Sequence, residues 1–311
     1  MKQEFTDKVS LFKSRALKQN LTLISQKEIA YGLQLEYVWQ EETSKINIYY
    51  SSKKNKVSFV VSTKESQLNR ILNELVIQVE GDNSLNLLES LHTWDKWIGS
   101  DESGKGDYYG PLVVAAFYCQ SQDIISLERM GVRDSKLLQD KQINIIAEKI
   151  KERFPNRYQL ITLTPKKYNE LYYNFTQSKK NLNHLLAWCH SKVIATLARK
   201  FNPQGIFVDR FTKQGLVEYY LNSEKIDNCD ILQAHKGERD MAVATASILA
   251  RAKFNAGIDY YSKEYGHKLP KGGGDATIVA GKKILADLGQ DVFENIAKLH
   301  FKNSQKILIT P

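Results

Sequence analysis

Residues 98–118 read IGSDESGKGDYYGPLVVAAFY. One apolar run enters this stretch at Ile98 and another leaves it over 112–118, while two adjacent carboxylates, Asp101 and Glu102, lead into Gly104, Lys105 and Gly106. Acids at the end of a strand that lies between buried segments cost desolvation energy unless something positive compensates them, and a metal ion is the usual compensation. The glycine turn with its single lysine lets main chain approach a phosphate chain closely. The spacing from Gly99 to Lys105 also matches the G-x4-GK of a nucleotide-binding loop. That reading fails at Gly106, where a Ser or Thr is needed to hold magnesium, and the two carboxylates inside the loop would repel nucleotide phosphates.

From this stretch onward strands and helices alternate. Strands are predicted over 98–101, 112–118, 158–163, 205–208 and 230–233, and helices over 141–152, 167–173, 183–200, 211–221, 239–261, 276–288 and 292–299. The pattern predicts an α/β domain, a mixed sheet flanked by helices. A second strand, GIFVD at 205–209, is apolar until it stops on Asp209. Two further acids, Glu238 and Asp240, precede a helix whose Ala242, Ala244, Ala246 and Ala250 allow close packing on a sheet. Carboxylates brought together in this way repel one another unless a divalent cation neutralises them. Hard oxygen ligands suit Mg²⁺ or Mn²⁺, and two such ions about 4 Å apart can activate water and stabilise a leaving oxygen at a phosphodiester. The residues alone leave Glu238 and Asp240 as alternatives for the last acid.

Other chemistries find little support. The six histidines show no ligand spacing; His184 and His190, six apart on one predicted helix, read as packing or surface residues, and His235 is placed near the acids in a supporting role. Cys119, Cys189 and Cys229 are odd in number and form no CxxC, which predicts reduced thiols rather than a disulfide framework or zinc site. The sequence MKQEFTDKVSLFKSRALKQN has no signal-peptide apolar core, and no stretch approaches the roughly 18 apolar residues of a membrane span. A cytoplasmic protein with no membrane partner is the expectation.

Residues 1–90 form a separate predicted unit: a helix over 7–19, strands at 45–50 and 57–61 around a turn with Lys53, Lys54 and Lys56, and a helix over 66–79. A polar link around 81–84 and a short helix to about 91 follow. Of the formal net charge of +9, residues 1–97 carry +1 and residues 98–311 carry +8. A basic surround for an acidic centre suits a polyanionic substrate held through bridging cations.

Taken together, the string from Asp101 to Pro111, Asp134-Ser-Lys136, NLNHLLAW at 181–188, Val208-Asp209, the 242–251 helix, LPKG at 269–272 and KLHF at 298–301 resembles ribonuclease HIII, a type 2 ribonuclease H. The resemblance spans about 97–306, with the motifs in the family's order. It implies an RNase H-like catalytic domain over 91–311, preceded by a small α+β, TATA-box-binding-protein-like domain over 1–90 that binds substrate. It also implies an endonuclease that cuts the RNA strand of RNA/DNA hybrids by two-metal catalysis with Mg²⁺ or Mn²⁺, leaving 5′-phosphate and 3′-hydroxyl ends. By the same resemblance Asp101, Glu102, Asp209 and Glu238 are the catalytic and metal-binding acids, a glutamate at the fourth position distinguishing this branch from ribonuclease HII. Gly104, Lys105 and Gly106 then contact the sugar-phosphate backbone, and Lys136 reaches a phosphate or else belongs to a plain surface turn. Tyr108 and Tyr109 are read as packing. In the N-terminal part Tyr49, Tyr50 and Phe59, with the three turn lysines, are read as a nucleic-acid-binding surface. The other readings are an enzyme that incises at single ribonucleotides in DNA, as ribonuclease HII does, and a hybrid-binding module without activity. A monomer is the default expectation.

Overall fold

The computed structural model describes residues 3–51, 56–62, 66–80, 92–209, 211, 215–226, 229–234 and 237–308. Lys53, Lys54, the link at 81–84, the helix expected up to 91 and His235 lie outside these residues. The chain divides into two compact units, Met1–Leu91 and His92–Pro311.

In the first unit, helix α1 (Gln3–Lys18) precedes strands β1 (Thr22–Ile29), β2 (Gly32–Trp39), β3 (Glu42–Ser51) and β4 (Lys56–Val61), and helix α2 (Gln67–Glu80) follows. The strands form an antiparallel sheet in the order β1-β2-β3-β4. Alternation sends Leu33, Leu35, Tyr37, Ile46, Ile48 and Val57 inward, where they meet Phe5, Val9, Phe12 and Ala16 of α1 and Leu68, Leu72, Leu75 and Val79 of α2. Only β3, β4 and the two helices were expected from sequence. Strand β1 is exposed almost throughout and shows no burial alternation. Its loop to β2, and that from β2 to β3, place Tyr31 and Gln40 at positive φ, 63° and 53°, with none of the Gly or Asn that usually marks a two-residue hairpin. Tyr50 and Phe59 pack against the core rather than forming an outer surface: Phe59 stacks on Phe12 with centroids 5.6 Å apart, and Tyr50 meets Phe5 edge-on at 6.3 Å.

The second unit is built on a mixed five-stranded sheet in the order β7-β6-β5-β8-β9. Its strands are β5 (Lys96–Ser103), β6 (Leu112–Gln120), β7 (Tyr158–Leu163), β8 (Gly205–Asp209) and β9 (Asp230–Ala234). Strands β5, β6 and β7 pair antiparallel, whereas β8 lies parallel to both β5 and β9. Its helices are α3 (Ile124–Met130), α4 (Asp140–Arg153), α5 (Pro165–Gln177), α6 (Leu182–Phe201), α7 (Leu216–Ser223), α8 (Met241–Glu264), α9 (Asp275–Leu288), α10 (Phe293–Ile296) and α11 (Lys302–Leu308). Strand β6 is buried on both faces. Val113, Ala115 and Phe117 join a core with α4, α8 and α9, while Val114, Ala116 and Tyr118 join one with α5, α6 and α7. This explains why its sequence is a continuous apolar run rather than an alternating one.

The small residues of α8 have the expected use. A Cβ on Gly99 of β5 would lie 2.2 Å from Val243 N and 2.7 Å from Ala242 Cβ, so the helix crosses the strand almost backbone to backbone. Some helix limits differ from expectation: α7 starts only at Leu216, after Gly215 at φ 95°, and the helix expected over 292–299 stops at Ile296 because Ala297 bridges to Tyr109. Helices α3 and α11 were not expected. The segment Gly99–Ser103 belongs to β5, so the nucleotide-binding-loop spacing has no loop to act through.

Candidate active site

The acids meet because of strand direction. Strands β5 and β8 are parallel with Ser100 opposite Val208, so the next residues, Asp101 and Asp209, stand side by side at the same sheet edge. Glu102 follows on β5. The short turn Gly237–Arg239 then brings up Glu238: the Gly237 N–H donates to Asp209 Oδ1 at 2.9 Å, and a Cβ on Gly237 would lie 2.9 Å from Asp209 Cα, so only glycine fits.

Each carboxylate is occupied by a protein donor. The Glu102 N–H donates to Asp101 Oδ1 at 2.8 Å, and the Ser247 hydroxyl, on α8, also reaches Asp101. Burial, reinforced by the charge of Glu102 and more weakly by that of Asp209, nevertheless pushes the Asp101 carboxyl up to about 8. Glu102 goes the other way. Burial works against its charge, but His190 and Lys105 outweigh it and hold this carboxyl below the ordinary glutamate range. His190 Nε2 lies 3.2 Å from Glu102 Oε2, and Lys105 Nζ lies 3.3 Å from Oε1. Lys136 Nζ stands 3.5 Å from Glu238 Oε1, and the charges of Glu238, Asp134 and Asp209 raise the lysine above its usual range despite partial desolvation.

Asp240 has a different job. It caps α8 by accepting from the Val243 N–H at 2.9 Å, takes the Trp97 indole N–H at 3.0 Å, and faces His92 Nε2 at 3.2 Å. With these partners its carboxylate is committed to the core side of the helix, whereas Glu238 stays with Asp209 and Lys136.

His190, read from sequence as a packing or surface residue, does pack, but against an acid of the site as well. It is fully buried on α6, stacks on Phe211 at 4.9 Å, and bridges Glu102 to Ser100 Oγ, which lies 2.7 Å from His190 Nδ1 and donates to the Ala115 carbonyl at 2.8 Å. The available signal was one imidazole on the apolar face of an otherwise core-forming helix. Tyr108 and Tyr109 pack as expected: both are buried, their hydroxyls meeting Ser304 Oγ at 3.1 Å and the Thr277 carbonyl at 3.1 Å. Cys119 and Cys189 are buried and all three cysteines are free thiols.

Beside the acids, Gly104 and Gly106 differ. Gly104 has φ 91° and its missing Cβ would meet the Pro111 carbonyl at 2.2 Å, so the fold itself requires glycine there. A Cβ on Gly106 would have nothing within 4 Å. Lys105 between them lies 5.3 Å from the Phe211 ring centroid.

Among the described residues no group of three or more His, Cys, Asp or Glu side chains converges closely enough to hold a metal ion as it stands. The donor set still fits a hard divalent cation: all-oxygen, half-buried, and with an excess of negative charge that raises the Asp101 carboxyl. Asp101, Glu102, Asp209 and Glu238 would hold such an ion in exchange for their present protein donors.

Residues 98–304 match the family model for ribonuclease HII. The ribonuclease HIII of Protochlamydia amoebophila is 44% identical over 211 residues, covering 68% of this chain and 68% of that protein. The ribonuclease HIII of Bacillus cereus is 38% identical over 216 residues, with the same coverage of both chains. Among solved structures, Bst-RNase HIII in complex with Mn²⁺ superposes with a TM-score of 0.65 at 28% identity, covering 96% of this chain and 95% of that one. By these matches the chain belongs to the ribonuclease HIII family of type 2 ribonucleases H, a family of RNase H enzymes.

Proposed function

We propose that this chain is an endonuclease that hydrolyses the RNA strand of RNA/DNA hybrids, holding two divalent ions, Mg²⁺ or Mn²⁺, on Asp101, Glu102, Asp209 and Glu238 and leaving 5′-phosphate and 3′-hydroxyl ends. The observation that carries this reading is the position of Asp101 and Asp209, each one residue beyond the last pair of the parallel strands, with Glu102 and Glu238 supplied by the adjoining residue and turn. When bound, the ions supply an activated water and charge stabilisation at the leaving oxygen.

The chain's own residues divide the remaining work. His190 fixes the Glu102 carboxylate from beneath, anchored in turn by Ser100. Lys105 and Lys136 pair with Glu102 and Glu238; with those carboxylates holding cations, both ammonium groups would be available to phosphates. The open space beside Gly106 lets its main chain lie against the sugar-phosphate backbone, where a 2′-hydroxyl distinguishes RNA from DNA. The excess of +8 over residues 98–311 favours capture of such a polyanion. We assign substrate binding also to the N-terminal unit. Its outer sheet face offers polar pairs, Gln34 Nε2 to Asn47 Oδ1 at 2.8 Å and Lys45 to Glu36 at 3.6 Å, beside the half-buried Tyr49. Among the described residues no helix is long and apolar enough to cross a membrane.

The test uses a uniform RNA/DNA hybrid labelled in the RNA strand, with Mg²⁺ or Mn²⁺, alongside a DNA duplex holding one ribonucleotide. Internal cuts in the uniform hybrid, with 5′-phosphate ends and loss of cutting in Asp101→Asn, are expected. Failure to cut either substrate, or an Asp101→Asn protein as active as wild type, would overturn the proposal; efficient cutting only at the single ribonucleotide would replace its substrate with that of the HII reading.

A further inference from the structure

Lys298 is a fully buried lysine that, among the described residues, has no carboxylate within ion-pair distance. Its Nζ donates instead to three main-chain carbonyls: Asp107 at 2.8 Å, Gly110 at 2.7 Å and Tyr109 at 3.4 Å. Its backbone N–H donates to the fourth in the series, Tyr108, at 2.8 Å. Four consecutive carbonyls, 107 to 110, therefore accept from one residue. An ammonium carries three donors and no acceptor, which is what three converging carbonyls call for; neither Met nor Gln supplies as many. Burying that charge is costly, and burial pushes Lys298 down to about 7, only partly offset by Asp107.

This segment directly follows the 104–106 turn. The Asp107 N–H closes the turn on the Gly104 carbonyl at 3.4 Å, and Asp107 Oδ1 takes the Gly272 N–H at 2.6 Å. Gly104 is itself wedged against Pro111. The turn is thus held at both ends, and Lys298 fixes its downstream end from inside the protein together with the Tyr108 N–H on the Gly272 carbonyl at 3.0 Å and the Gly110 N–H on the Ile296 carbonyl at 2.9 Å. None of the four acids touches Lys298.

We propose that Lys298 is a positioning residue: by gathering the carbonyls of residues 107–110 it holds the 104–106 turn in the conformation that reads the ribose of the RNA strand. It thereby sets discrimination between an RNA/DNA hybrid and a DNA duplex and leaves the chemical step alone. The inference rests on the function proposed above.

The experiment measures kcat and KM on a uniform RNA/DNA hybrid and the inhibition constant of a DNA duplex of the same sequence, for wild type, Lys298→Met, Lys298→Gln and Arg157→Ala. Arg157 pairs with Asp123 near the opposite end of β6, so its loss lowers stability without touching the turn. In Lys298→Met the ratio of DNA inhibition constant to hybrid KM should fall by about fivefold or more, the worth of one lost hydrogen bond. The kcat should stay within about twofold, Gln should fall between Met and Lys, and Arg157→Ala should melt lower with its ratio unchanged. An unchanged ratio in folded Lys298→Met, an equal loss in Arg157→Ala, or failure of both Lys298 variants to fold would overturn the inference. A wild type that neither cuts the hybrid nor prefers it to DNA would instead overturn the function itself, and the inference with it.

Discussion

Binding of a divalent cation to this protein should expel a proton, and the amount follows from Asp101. Its carboxyl is pushed up to about 8 by burial beside Glu102 and Asp209. A group with that pKa is about nine-tenths protonated at pH 7, half at pH 8 and about one-tenth at pH 9. Glu102 is held low by His190 and Lys105, so it is already ionised and contributes no proton. Titration with Mn²⁺ by calorimetry, in two buffers of different ionisation enthalpy, should therefore report about 0.9 proton released at pH 7, falling toward zero by pH 9. The apparent affinity should climb about tenfold per unit between pH 6 and 7.5 and flatten above 8. Stability follows the same linkage. Between an unfolded value of 3.8 and about 8 the native protein binds more protons at Asp101 than the unfolded chain does, so this contribution is lost as pH rises through that window. Metal-free wild type should lose melting temperature relative to Asp101→Asn from pH 5 to pH 8, and Mn²⁺ should restore it. Proton release near zero at pH 7, together with pH-independent affinity, would refute the assignment of Asp101 as a buried ligand that must be deprotonated.

Two further contrasts test neighbouring residues against each other. Asp240→Ala removes the α8 cap and leaves the Trp97 indole N–H without its acceptor, so thermal melts should show a loss of about 3 kcal/mol; Glu238→Gln removes only an ion pair to a largely exposed lysine and should cost less than about 1 kcal/mol while abolishing hybrid cleavage. Gly104→Ala places a Cβ against the Pro111 carbonyl at φ 91° and should destabilise by about 2 kcal/mol or more, whereas Gly106→Ala should leave the melt unchanged and raise KM for the hybrid.

Much of the catalytic half is legible in the chain because its signals are local. Apolar runs that end on a carboxylate, as at Asp101 and Asp209, mark strand ends, and the alanines of α8 anticipate its close crossing at Gly99. The fourth acid was not decidable from spacing, since Glu238 and Asp240 lie two apart; the bonds of Asp240 to Val243 and Trp97 separate their surroundings. The contacts of His190, read as a packing or surface residue, and of Lys298, quoted only within the KLHF motif, were not legible because they are tertiary: their partners, Glu102 and the 107–110 carbonyls, lie far away in sequence. In the N-terminal unit Leu33, Leu35 and Tyr37 do alternate with polar residues, and that strand was readable. Strand β1 was not, being an exposed edge whose turn uses Tyr31 at positive φ in place of glycine.

The central claim is that Asp101, Glu102, Asp209 and Glu238 hold the ions that act on the hybrid. An anomalous difference map from crystals of the protein with Mn²⁺ and an uncleavable RNA/DNA hybrid tests it most directly. Two peaks about 4 Å apart are predicted, both touching Asp101 and bounded by Glu102, Asp209 and Glu238, with Asp240 still capping α8. Manganese bound elsewhere, or ligated by Asp240 in place of Glu238, would contradict the account.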